Sequence, residues 1–100
     1  MNKPTKKRTP LKEVLKNELK DSEFSFYYKQ ERAIHDIARM IRNARIKLGL
    51  TQAELAKRAG TTQTVVARLE SGTDNRTPSL DLLSRLAHAL KTQLRVNLQP

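Results

Sequence analysis

The chain has 100 residues, of which 37% are hydrophobic and 30% charged, a composition suited to one small domain with a modest core in a polar shell. So short a chain cannot bury both a core and a large enzyme cleft, and a formal net charge of +10 points to a polyanion as partner. The absence of cysteine excludes a disulfide framework and a thiolate metal site. His35 and His88 have no carboxylate or histidine neighbour at metal-ligand spacing, so no metal and no other cofactor is expected. No carboxylate pair and no nucleophile with an adjacent base stands out, and an enzyme is not expected. The basic start is not followed by an apolar signal core, and no apolar run approaches a membrane span; a soluble, cytoplasmic protein is the expectation. The charge is uneven. Residues 1–20 carry seven Lys/Arg against two Glu, and residues 32–50 carry five against one.

Residues 1–8, "MNKPTKKR", lack apolar periodicity and read as a flexible basic tail. Thr9 can cap a helix with Pro10 at its first position. Leu11, Val14, Leu15 and Leu19 then share one face, in a helical extension over residues 9–30. Asp21 and Ser22 favour caps over helix interiors, so the pattern restarts there. A second helix carries Phe24, Tyr27 and Tyr28, either separate from the next or continuous with it.

The main domain is expected over 31–91. Ile34, Ile37, Ala38, Ile41, Ala44 and Leu48 give residues 31–48 the strongest helical pattern in the chain, which Gly49 ends. Thr51 and Glu54 form a T-x-x-E capping box for a short helix to about Ala59. Gly60 suits a left-handed cap. Thr61 or Thr62 caps a third short helix to about Glu70, stopped by Ser71-Gly72. Ser79 caps a helix with Leu80, Leu83, Leu86, Ala87 and Leu90. In residues 92–100, Leu94, Val96 and Leu98 alternate with polar residues, the pattern of a short strand.

The stretch "AELAKRAGTTQTVVAR" is two short helices around a turn. A single helix would resist Gly60, which costs about 1 kcal/mol in a helix interior. Ala56 is small where the second helix must approach, and Val66 and Leu69 face Leu55 and Ala59. Thr62, Gln63, Thr64, Ala67 and Arg68 then point outward from a helix nearly free of acid, a surface that fits a B-DNA major groove.

"RIKLGLTQAELAKRAGTTQTVVARLESG" resembles the lambdoid phage repressors and the wider XRE family over residues 38–90. The resemblance implies an all-α, lambda-repressor-like helix-turn-helix bundle, with N-terminal extra helices and a short C-terminal dimerising β-strand added to it. It places Thr62, Gln63, Thr64 and Arg68 on the base-reading face. Gln63 can bond adenine, Arg68 can pair with guanine, and the Thr62 methyl suits thymine. Similar phage repressors carry glutamines where Thr64 and Arg68 stand, so their operator sequence does not carry over. Thr51, Gln52, Ser71, Asn75 and Arg76 are candidates for phosphate contacts. In similar repressors the positions of Arg45 and Glu70 form a largely buried, structural ion pair.

Both ends of the chain extend the resemblance. "DN-x-T" and a short terminal strand are similar to HipB-type antitoxins, in which such strands pair across a homodimer; Leu94, Val96 and Leu98 would form that contact. The alternative is a strand on its own domain's edge. "LKDSEF", the basic amphipathic helix before it and "L-x-V-x-L" at the end look like HigA-type antitoxins. That implies a repressor of its own operon that binds operator DNA and a toxin, either a RelE/HigB-like ribonuclease or, second, a HipA-like kinase. Leu11, Val14, Leu15, Leu19, Phe24, Phe26, Tyr27 and Tyr28 are then candidate toxin contacts; otherwise they pack on the domain. A free-standing XRE-type phage or mobile-element repressor and an RNA-binding module are the rival readings.

Overall fold

The computed structural model describes residues 10–72 and 76–100; the basic tail, the Thr9 cap and Asn75 fall outside these residues. Among the described residues four helices follow one another: α1 (Leu11–Lys47), α2 (Gln52–Ala59), α3 (Gln63–Ser71) and α4 (Leu80–Ala89). The chain divides into two compact units, Met1–Arg32 and Ala33–Pro100.

In the first unit residues 11–32 are helix throughout, with no interruption at Asp21–Ser22. The expected pair of N-terminal helices is therefore corrected to one 37-residue helix. Asp and Ser cost only a few tenths of a kcal/mol in a helix interior, whereas Gly and Pro cost about 1 and 3. Between Pro10 and Gly49 the sequence has neither. Pro10 itself stands just before the helix, its carbonyl accepting from the Val14 N–H at 3.2 Å.

The second unit has a core of Leu55, Ala56, Ala59, Val66, Leu69, Leu86, Ala89 and Leu90. Leu55, Val66 and Leu86 are fully buried, and Ile37, Ile41, Ala44, Leu82 and Leu83 pack around them. Each helix is bounded by local chemistry. Thr51 and Glu54 form a complete capping box, with Glu54 N–H to Thr51 Oγ1 at 3.0 Å and Thr51 N–H to Glu54 Oε1 at 2.8 Å. These bonds hold the Glu54 carboxyl below its ordinary range, the one from the Thr51 backbone most of all. Thr62 and Ser79 cap α3 and α4 through their hydroxyls.

Helix ends use left-handed residues. At Gly49 the Leu50 N–H reaches back to the Arg45 carbonyl, at 3.1 Å, and Leu50 is buried beside the turn. The same closure ends α4, where Lys91 takes the left-handed position with φ 58 and the Thr92 N–H bonds the Ala87 carbonyl. No glycine marks that turn.

Residues 92–100 do not form the expected β-strand, and the described residues contain no strand at all. Leu94 is half-buried, while Val96 and Leu98 are 71% and 91% exposed. A period of two gives a segment two faces, but a strand also needs a neighbour to accept and donate ladder hydrogen bonds. Every other described element satisfies its backbone within a helix, so none supplies one. The fold is all-helical.

Candidate nucleic-acid interface

The turn joining α2 and α3 is built by Gly60, with φ 70 and ψ 35. Its successor Thr61 donates its N–H to the Ala56 carbonyl at 2.9 Å, and the chain then extends through Thr62 into α3. A Cβ on Gly60 would meet only Arg85 Nη1 at an ordinary 3.5 Å. Backbone conformation, rather than space, is what asks for glycine here.

From α3, Val66 and Leu69 enter the core, and Val65 and Ala67 are half-covered. Thr62, Gln63, Thr64 and Arg68 are exposed together on the remaining face. The single acid of α3, Glu70, does not share it: its side chain is only 4% exposed. Arg45 from α1 clamps both carboxylate oxygens, Nε to Oε2 at 2.7 Å and Nη2 to Oε1 at 2.9 Å. Its Nη1 also donates to the Leu50 carbonyl at 2.8 Å. Burial opposes ionisation of Glu70, but the bonds from Arg45 and Gln52 prevail and hold its carboxyl below the ordinary range. The same bond to Glu70 raises Arg45 further. The outward face of α3 thus carries no negative charge.

Gln52 begins α2, but its side-chain amide is engaged inside the protein, Nε2 donating to Glu70 Oε1 at 3.2 Å. What this helix start still directs outward is backbone, since first-turn N–H groups have no acceptor within a helix. Thr51 is committed to the capping box. The Ser71 hydroxyl donates to the Arg68 carbonyl at 2.6 Å, which closes the end of α3. Arg76 is exposed and rims, with Arg68, a shallow hollow floored by Ile34, Leu69 and Leu82.

Two contributors were not singled out from sequence. Arg42, exposed on α1, shares one concavity with Gln52, Ala67 and Ser71 and another with Arg39, Asn43 and Gly72. The signal for it was the three-residue spacing of Arg39, Arg42 and Arg45, which aligns cations along one side of a helix. Arg39 instead pairs locally with Asp36 at 2.8 Å. The second is His35, which covers Gly72 at the end of α3: a Cβ there would lie 2.8 Å from His35 Nδ1. Gly72 also has φ 68, so both space and backbone demand glycine.

Two short helices at a glycine turn, the second offering a polar face free of acid, define a helix-turn-helix module. Residues 41–97 match the helix-turn-helix family. The chain belongs to that family, a class of DNA-binding transcriptional regulators. It is also similar to an HTH-type transcriptional regulator of Methanothermobacter thermautotrophicus, 49% identical over 51 residues, covering 51% of this chain and 71% of the relative. Among the described residues no helix is long and apolar enough to cross a membrane. Nor does any group of three or more His, Cys, Asp or Glu stand where it could hold a metal ion.

Proposed function

We propose that the protein is a sequence-specific transcriptional repressor that lays α3 in the major groove of an operator. The exposed set Thr62, Gln63, Thr64 and Arg68 carries this reading, beside an acid already neutralised by Arg45. Gln63 and Arg68 have the donors and acceptors to read adenine and guanine edges. Thr51, Gln52, Ser71 and Arg76 are the candidate phosphate contacts beside that face, the helix start at Gln52 acting through its backbone; Asn75 is a candidate from the sequence alone. Arg42 joins them. Two copies would read the two halves of a palindrome.

The test is selection of a binding site from random duplexes, followed by titration in a salt series. Gln63→Ala should lose on the order of 1–3 kcal/mol at one base position and relax the preference there, while Arg42→Ala should weaken all sequences alike and lower the salt slope by about 1. Equal losses on operator and random DNA for both variants would remove α3 as the reading helix.

A second reading rests on the exposed aromatics Phe24, Phe26, Tyr27 and Tyr28. We infer from them, with the resemblance to HigA-type antitoxins, an antitoxin that represses its own operon and holds a ribonuclease toxin through its N-terminal helix. Coexpression with the product of the adjacent reading frame tests it. Loss of copurification in Phe24→Ala/Tyr28→Ala, with operator binding intact, would support the reading. An adjacent frame whose product is harmless and does not copurify would reject it.

A further inference from the structure

Within residues 11–30 of α1, Leu11, Leu15, Leu19, Ser22 and Phe26 lie within about 80° of one another at 100° per residue. Leu11, Leu15, Leu19 and Phe26 are 71%, 50%, 65% and 60% exposed, so an apolar stripe of four large side chains faces solvent. Residues 11–32 carry five bases and five acids and are electrically neutral, whereas residues 33–100 carry eleven bases and five acids. The segment therefore lacks the excess cation expected of a DNA-binding arm. Its charges alternate beside an apolar seam, as in helices that pair with helices.

We propose that this stripe is a self-association surface on which the helix pairs antiparallel with the same helix of a second copy. The charge pattern selects the occupant and the direction. When Leu15 is set against Phe26 of a second copy, and Leu19 against Ser22, two-fold symmetry repeats each contact in reverse. That register brings Lys16 alongside Glu23 of the second copy, twice, on one flank of the seam. It overlaps residues 11–30 over about 30 Å, close to three heptads. A parallel pair would instead bring Glu18 alongside Glu23 of the second copy, twice, like charge against like. Phe24 and Tyr28 fall on the opposite side of the helix and take no part.

Sedimentation of the full chain across a hundredfold range of concentration tests the pairing. The wild type should move from monomer to dimer, and Leu19→Glu should stay monomeric with unchanged helix content. Lys16→Glu and Glu23→Lys should each weaken association several-fold, because symmetry doubles every like-charge contact, and Lys16→Glu/Glu23→Lys should restore it. The chain has no cysteine, so disulfide trapping can read the register directly. A mixture of Leu15→Cys and Phe26→Cys chains should cross-link to each other, and Leu15→Cys alone should not. A monomeric wild type would overturn the proposal and leave the stripe to a different protein. Association indifferent to the charge reversals, or rapid self-linking of Leu15→Cys, would overturn it as well.

Discussion

Residues 11–32 and 33–47 belong to one helix and carry similar apolar spacing, yet they meet different surroundings. In the later stretch Ile34 and Ala38 are buried, and Ile37, Ile41 and Ala44 pack on the core. In the earlier stretch Leu11, Leu15, Leu19 and Phe26 are exposed. Periodicity shows which side of a helix seeks cover; it does not say what provides it. Charge separates the two stretches better, because a balanced segment beside an apolar seam suits protein contact and a cationic one suits a phosphate backbone.

The largest effect that would sharpen this contrast lies at the Arg45–Glu70 pair, whose side chains are 13% and 4% exposed. Glu70→Ala or Arg45→Ala should cost about 3–5 kcal/mol in urea unfolding, since each strands the other's buried charge. Charge changes at Glu13 or Glu18 should leave stability within about 0.5 kcal/mol. Next come paired leucines. Leu55→Ala should cost about 2–5 kcal/mol, and Leu15→Ala, measured at dilution where any self-association is absent, less than about 0.5 kcal/mol. A comparable loss at Leu15 would break the comparison by placing that residue in a core.

Gly72→Ala comes third, with at least about 1–2 kcal/mol lost to the left-handed backbone and more to the contact with His35. Acid should act in the same direction. The folded-state pKa of Glu70 is lowered, so the unfolded chain takes up the proton first. That contribution is complete above the ordinary glutamate range, near about pH 4.3, and is lost as pH falls through the depressed value. The decline should be shallower in Glu70→Gln, which thermal melts between neutral pH and pH 3 would show. The smallest effect is a gain: Lys91→Gly should relieve its left-handed backbone and raise stability by up to about 1 kcal/mol.

Much of the second unit was legible because its signals are local. Thr51 with Glu54, Gly60, Thr62 and Ser79 announce helix ends through bonds made within a few residues. The inward set Leu55, Ala59, Val66 and Leu69 follows from helical spacing around one turn. Arg45 and Glu70 are a different case. Only resemblance joined two charges twenty-five positions apart, and the bond from Gln52 to Glu70 was missed because nothing local marks it. Two misreadings share a cause. At Asp21–Ser22 a preference of a few tenths of a kcal/mol was treated as a stop, and at Leu94, Val96 and Leu98 alternation was treated as a strand without a neighbour.

The sequence by itself determined where α2, α3 and α4 begin, where glycine must turn the chain, and which side of α3 is polar. Caps, turns and periodicity involve neighbours along the chain and need no distant partner. Tertiary structure decided which side chains stay exposed around α3 and which are engaged inside the protein. It withdrew Glu70 and the Gln52 amide into one network with Arg45, brought Arg42 beside Ser71, and set His35 over Gly72. It also denied the C-terminal segment a ladder. Those outcomes depend on groups far apart in sequence meeting at hydrogen-bonding or van der Waals distance, which only the packed core brings about.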